Sequence, residues 1–259
     1  MEFIKFRSTD RFFDKVQSRR LFMRGNSYKW IYAKYMNAWR LTVRERERLP
    51  RKKRVWYPGA TYHVMSRGNR RTAIYKDEAD YCHFLDIISM TMKEHAFRVH
   101  SICMMTNHFH MEIETSDTEL WRIMQKIKSV YAEEFNHRHK YTGHLFEGRY
   151  AASLIEDERY FLEVSRYIHL NPVKAMMVRE PLMYKYSSYS LYVSGETEVR
   201  RGIVRSMMAE IVDTGRVLGA FPREPREQYR MFVEGKISHA EQEMLIMKDM
   251  KENELWLPW

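Results

Sequence analysis

Apolar and polar residues follow regular patterns from residue 56 to residue 171, and the period of the pattern changes from one segment to the next. Alternation with a period of two predicts strands, whereas apolar residues spaced three and four apart predict helices. The predicted elements are a strand over 61–66, a helix over 77–95, strands over 97–105 and 108–114, a helix between 117 and 141, and a strand over 150–155. This order is typical of an α+β fold, in which an antiparallel sheet carries two helices on one face.

The strand predicted over 108–114 alternates without interruption and carries two histidines on its polar face. The polar set is His108, His110, Glu112 and Glu114, and the apolar set is Phe109, Met111 and Ile113. Side chains two positions apart on a strand lie ~6.6 Å from each other, so the two imidazoles stand side by side. Such a pair can bind a divalent metal ion if a third ligand is supplied. The alternatives are a plain surface strand and half of a structural zinc site.

A second pair with the same spacing, His137-Arg138-His139, lies in the helix predicted between 117 and 141. Residues two apart on a helix point about 200° away from each other. This second pair therefore cannot bind one ion, whereas the first pair can.

A further helix is predicted from Glu158 towards Asn171, with Asp157 as its N-cap and Pro172 as its end. One line along this helix holds Tyr160, Glu163, Tyr167 and Asn171. Tyr167 and Asn171, four residues apart, point the same way with their bases roughly 6 Å apart. We expect this helix to be able to cover the polar face of the histidine strand.

The distribution of charge and the small number of cysteines indicate where the protein acts and what it binds. Residues 1–54 hold 17 Lys and Arg against 5 Asp and Glu, a net charge of +12, whereas the whole chain is +10. The composition of this basic, aromatic-rich extension is typical of a segment that binds nucleic acid. The alternative is that the extension packs on the rest of the chain or on a second copy of the protein. The two cysteines, Cys82 and Cys103, give no disulfide framework, and no apolar run is long enough to span a bilayer. We expect a cytoplasmic protein with no membrane partner.

Several short sequence motifs resemble those of the single-tyrosine HUH transposases, in particular the REP-associated tyrosine transposases and their IS200-like relatives. They are Tyr62-His63-Val64 with Arg67-Gly68-Asn69, Asn107-His108-Phe109-His110, Gly143–Tyr150, Arg166–Lys174 and Tyr186-Ser187-Ser188-Tyr189. The resemblance covers about residues 56–195. Ala151 departs from it, because members often carry a lysine after the Gly-Arg-Tyr phrase. We therefore expect an extension over 1–54, a nuclease domain over 55–195 and a helical segment over 196–259.

The resemblance implies a ferredoxin-like or RRM-like sheet. Outside the region that the resemblance covers, the residue pattern predicts helical extensions at both ends of the chain. The resemblance also implies a divalent metal, Mg²⁺ or Mn²⁺, bound by His108 and His110, and a nucleophile, Tyr167, that cuts single-stranded DNA. By position, Asn171 matches the third metal ligand of the family. Glu112 is the other candidate for the third ligand, but it lies a further ~6.6 Å along the strand from His110. It is more suited to a hydrogen bond that orients one of the metal ligands.

The substrate is expected to be single-stranded or hairpin DNA, joined to the enzyme as a 5′-phosphotyrosyl intermediate. Arg67, Arg70, Arg71 and Arg149 are the expected phosphate contacts. The protein is expected to be associated with the nucleoid, as a monomer or a homodimer. The alternative function is a catalytically silent protein that binds nucleic acid on the same fold. A phosphoesterase with two His-x-Ser/Thr pairs is excluded, because neither His63 nor His108 is followed by that hydroxyl.

Overall fold

A computed structural model describes residues 55–194 and 202–235 of the chain. The chain divides into two units, Met1–Arg54 and Val55–Trp259. The helices expected in the basic extension, and the polar segment that leads to Trp259, lie outside the described residues. Within the described residues, no helix is both long enough and apolar enough to cross a membrane.

The strands and helices follow the predicted order up to residue 174. They are β1 (Thr61–Arg67), α1 (Glu78–Glu94), β2 (Phe97–Met104), β3 (His108–Thr115), α2 (Leu120–His139), β4 (Ala151–Ile155) and α3 (Glu158–Lys174), followed by α4 (Tyr189–Val193), α5 (Ile203–Ile211), α6 (Gly215–Gly219) and α7 (Pro225–Glu234). Short 3-10 turns span Asn69–Arg71 and Pro181–Met183. The α+β fold expected from the sequence is confirmed.

The four strands form one antiparallel sheet in the order β2-β3-β1-β4. Strand β3, which carries the two histidines, is therefore an inner strand held by neighbours on both sides. In its pairing with β1, Met65 lies opposite His110 and His63 lies opposite Glu112. Strands supported on both sides are rigid, so the polar groups on this face have fixed relative positions.

The two faces of β3 are covered by different helices. Helices α1 and α2 pack on the apolar face, where the ring of Phe84 lies 4.9 Å from that of Phe109 and 5.0 Å from that of Tyr131, centroid to centroid. Helix α3 packs on the polar face, where the hydroxyls of Ser165 and Ser101 are 2.7 Å apart. The polar face that the first two helices leave open is thus covered, and Glu112 is fully buried there.

Helix α3 begins as the sequence predicts but continues further. The Asp157 carboxylate accepts a hydrogen bond of 2.7 Å from the backbone N–H of Tyr160, which caps the first turn. The expected end at Pro172 is wrong, because the helix runs through this proline to Lys174. Proline removes one hydrogen bond near the helix end, and the last turn is still closed by the N–H of Ala175, which donates to the carbonyl of Asn171 at 2.9 Å.

Helix α7 packs against α3 through buried polar contacts. The Tyr229 hydroxyl lies 2.7 Å from both Ser165 Oγ and His169 Nδ1. The guanidinium of Arg166, which is buried, donates to the carbonyls of Val233 and Gly235 at the end of α7. The described residues from 202 to 235 therefore share one core with the sheet.

A glycine in the turn after β1 is sterically required. A Cβ at Gly68 would lie 2.2 Å from the Thr72 carbonyl oxygen and 2.9 Å from a methyl group of Ile74. We expect Gly68→Ala to lower the free energy of unfolding by about 1–3 kcal/mol, measured by urea denaturation, because the backbone must move to relieve the overlap. Gly148→Ala is the matched control, since nothing lies within 4 Å of a Cβ there. Equal stability of the two variants would contradict the steric argument.

Candidate functional site

Three imidazoles meet on the polar face of the sheet. His108 and His110 come from β3, with ring centroids 5.1 Å apart. His63 comes from β1, one row further along, and its Nε2 lies 3.0 Å from Nδ1 of His110. No role for His63 was predicted from the sequence. The alternation in the first predicted strand shows which face His63 lies on. It does not show the pairing of β1 with β3, which brings His63 next to His110.

Burial keeps the three imidazoles neutral. Burial lowers the pKa of His63 to about 4, and burial followed by the charge of Arg67 lowers the pKa of His108 to about 4. Burial also holds the pKa of His110 well below its usual value, with smaller effects from the neighbouring histidines and Lys174. Neutral imidazole is the form that binds metal ions.

The hydrogen bonds of His108 leave one ring nitrogen available. Its Nδ1 lies 2.7 Å from the side-chain oxygen of Asn107, while the amide nitrogen of Asn107 donates to the Arg71 carbonyl at 3.0 Å. Because an amide oxygen only accepts, the hydrogen of His108 sits on Nδ1 and Nε2 keeps its lone pair. Metal-ligating histidines are usually held in this way by a neighbouring acceptor.

Helix α3 brings Tyr167 to the imidazoles. The centroid of its ring lies 5.6 Å from those of both His63 and His110, in edge-to-face arrangements. Lys174, which the sequence analysis also did not assign, holds its ammonium 4.6 Å from the centroid of the same ring. Residues seven apart share one helix face, but this contact depends on the helix continuing past Pro172.

The two candidates for a third metal ligand differ in their surroundings. Asn171 is buried one turn beyond Tyr167, and its amide nitrogen donates to the Tyr167 carbonyl at 2.9 Å, so its side-chain oxygen is not used in that bond. Burial raises the pKa of the Glu112 carboxyl well above its usual range, and the nearby Ser101 hydroxyl and Arg216 only partly offset this. Position favours Asn171, because it lies one turn beyond Tyr167 on the same helix, whereas Glu112 lies one row further along β3 than His110.

Two imidazoles and an amide oxygen form a set of ligands that fits a divalent cation. Within residues 55–194 and 202–235, no group of three or more His, Cys, Asp or Glu side chains forms such a site. The Asn171 amide and an oxygen of the substrate are the candidates for a third ligand beside His108 and His110.

The four arginines expected to contact DNA lie at the sheet end where β1 and β4 meet the turns. Arg67, opposite His108 in the register, pairs with Glu147 at 2.8 Å. Arg70 and Arg71 are exposed in the turn after β1 and have positive φ angles of 51° and 59°. Arg149 is exposed just before β4. Strained backbone of this kind is concentrated at functional sites.

Comparison with known proteins shows what the chain is similar to. Residues 57–171 match the family model described as "Transposase IS200 like". Among solved structures, the chain is similar to a REP-associated tyrosine transposase bound to a REP hairpin (17% identity, TM-score 0.49, covering 56% of this chain and 86% of that one). It is also similar to a protein of Deinococcus radiodurans R1 described as a transposase (16% identity, TM-score 0.34, covering 46% and 95%). No curated protein matches with statistical significance. The matched residues include the two paired histidines, Tyr167 and Asn171, so the similarity to the IS200-like transposases covers the candidate site.

Proposed function

We propose that this protein is a metal-dependent endonuclease and transposase that cuts single-stranded DNA at a hairpin through a 5′-phosphotyrosyl intermediate. The observation that carries the proposal is the contact of a helix-borne tyrosine, Tyr167, with neutral imidazoles on the two inner strands, His63 on β1 and His110 on β3. A phenol beside a metal site is the arrangement that attack on a phosphodiester requires.

His108, His110 and Asn171 would hold a Mg²⁺ or Mn²⁺ ion. The ion, when bound, offsets the negative charge of the scissile phosphate, which otherwise repels a nucleophile. The protein residues provide position: β3 fixes the two imidazoles, and α3 fixes the tyrosine and the amide one turn apart. Their rigidity keeps the reacting groups aligned before the DNA binds.

Tyr167 is the nucleophile in this proposal. Its hydroxyl oxygen forms a bond to phosphorus, the bond from phosphorus to the 3′ oxygen breaks, and the 3′ oxygen leaves as a hydroxyl that gains the proton lost by the phenol. A free tyrosine has a pKa near ~10 and is a weak nucleophile at neutral pH. The ammonium of Lys174 beside the ring favours the negative charge that develops on the phenol oxygen.

One tyrosine per chain attaches one DNA strand at a time. Strand exchange then requires either a second copy of the protein or two successive cuts by one copy. The bond to Tyr167 conserves the energy of the phosphodiester, so a free 3′-hydroxyl can attack it and rejoin the DNA without another energy source.

The turn after β1 supplies the contacts to the DNA backbone. Arg70 and Arg71 are exposed there, and the Asn107 amide ties this turn to the start of the histidine strand. We expect Arg70→Gln/Arg71→Gln to weaken binding of hairpin DNA and to reduce the slope of log K against log salt by about 1 to 2, measured by fluorescence anisotropy at several salt concentrations. Arg122→Gln, on the exposed side of α2, is the control. An unchanged slope would show that this turn does not contact the DNA backbone.

The direct test uses hairpin DNA with a single-stranded flank, labelled at either end. With Mg²⁺ or Mn²⁺, the protein should form an adduct that survives denaturing electrophoresis and carries the 3′ label, while the 5′ label appears on a shortened free strand. Binding without any adduct in either metal would show a nucleic-acid-binding protein without catalysis.

A further inference from the structure

His63 is a buried histidine without a role in the reaction described above. Its Nε2 is used, since it lies 3.0 Å from His110 Nδ1. Its Nδ1 is buried and has no hydrogen-bond partner in the described part of the chain. A buried polar atom without a partner is energetically unfavourable, so such an atom calls for an explanation.

The direction of the His63–His110 hydrogen bond determines whether His110 can bind a metal ion through Nε2. A neutral imidazole has one N–H and one lone pair. If His63 donates from Nε2, His110 accepts at Nδ1 and carries its own hydrogen on Nε2, which blocks that nitrogen. If His110 donates from Nδ1, its Nε2 keeps the lone pair. Only the second direction leaves Nε2 of His110 open to a metal ion.

The second direction places the hydrogen of His63 on Nδ1, which then needs an acceptor. Glu112 lies directly opposite His63 in the β1–β3 register, and both of its carboxyl oxygens are buried without a hydrogen-bond partner among the described residues. The Ser101 hydroxyl beside it bonds Ser165 instead. Directly opposed residues have Cβ atoms about 4.5–5.5 Å apart, a separation that an imidazole and a carboxyl group can close.

We propose that Glu112 and His63 form a relay of hydrogen bonds behind His110, in which an oxygen of Glu112 accepts from Nδ1 of His63 and Nε2 of His63 accepts from Nδ1 of His110. The relay rests on the metal site of the proposed function. In this relay, Glu112 and His63 are positioning residues. They hold His110 in the tautomer and orientation that bind metal, and they do not contact the DNA themselves. The other histidine of the pair is held in the same way, because Asn107 accepts from Nδ1 of His108.

Ser153 is a competing acceptor for His63. It lies opposite His63 on the other side, in β4, and its hydroxyl is also buried without a partner within the described residues. A hydroxyl can accept a hydrogen bond as well as donate one. His63 therefore has two possible acceptors in the same row of the sheet, Glu112 on β3 and Ser153 on β4. Ser153→Ala and Glu112→Leu distinguish them: the relay requires loss of metal affinity in the Glu112 variant and little change in the serine variant.

The main test measures Mn²⁺ affinity by electron paramagnetic resonance in the full chain. His63→Phe keeps a ring of similar size but removes the acceptor, and we expect affinity to fall about 10- to 100-fold. His63→Gln offers an amide oxygen near the position of Nε2 and should recover most of the affinity. His83→Phe, an exposed histidine on α1, is the control. Urea denaturation of each variant separates a loss of metal binding from a loss of folding.

A second measurement needs no variant. In ¹⁵N-labelled protein saturated with Mg²⁺, the imidazole spectrum should place the hydrogen of His63 on Nδ1. A hydrogen on Nε2 would overturn the relay, as would equal Mn²⁺ affinity in wild type and His63→Phe; either result would leave the metal site intact. A wild-type protein that binds neither ion would overturn the metal site and the relay together.

Discussion

Replacement of Tyr167 by phenylalanine is expected to lower the yield of covalent DNA adduct at least about a thousandfold while leaving DNA affinity nearly unchanged. The substitution removes only the oxygen that would bond to phosphorus. The ring keeps its edge-to-face contacts with His63 and His110 and its contact with Lys174, so α3 stays in place. The yield is measured on denaturing gels with 3′-labelled hairpin DNA.

Tyr160→Phe is the matched control for this experiment, because it makes the same change two turns earlier on the same helix. We expect it to retain the adduct. A normal adduct from Tyr167→Phe would mean that another residue attacks the phosphate, and the proposed role of Tyr167 would be wrong.

Removal of an imidazole ligand should have the second largest effect. We expect His108→Ala to reduce both adduct formation and Mn²⁺ affinity at least about a hundredfold, and a chelator should abolish the activity of the wild type. His108 is only half buried at the start of β3, so the alanine leaves a small cavity and the fold should persist. Excess Mn²⁺ should restore part of the activity if the remaining ligands still hold the ion weakly.

The control for this variant is His137→Ala, taken from the second His-x-His pair. His137 is exposed on α2, and its neighbour His139 bonds the carboxylate of Asp80 at 3.0 Å. Full adduct formation by His108→Ala without added metal, at the level of the control, would contradict the proposed metal site.

Local patterns were sufficient to predict the strands and most of the helices. The alternation from His108 to Glu114 specifies a strand with one polar face, because side-chain direction in a strand depends only on position. Helix α3 was predicted with the correct first turn, since a cap is a contact between residues three apart. Its end was wrong because proline acts on one hydrogen bond only, and the last turn had others to close it.

The parts of the site that the sequence could not predict depend on contacts between distant residues. His63 and His110 are 47 positions apart, and only the pairing of β1 with β3 brings them together. The covering of the polar face by α3 was expected, but the full burial of Glu112 depends on how closely that helix packs, which no local pattern specifies. Tyr167 and Asn171 were predicted to share a helix face; their roles as nucleophile and ligand remain predictions.

The contacts between α3 and α7 bear on how the protein can be shortened. A truncated protein that ends at residue 171, where the family match stops, or at residue 195, would lack Tyr229. Ser165 and His169 would then lose a shared partner, and the guanidinium of Arg166 would lose the carbonyls of Val233 and Gly235. Such a fragment would carry uncompensated polar groups directly behind the tyrosine, so we expect a fragment that extends to Gly235 to be more stable than one that ends at residue 171 or 195.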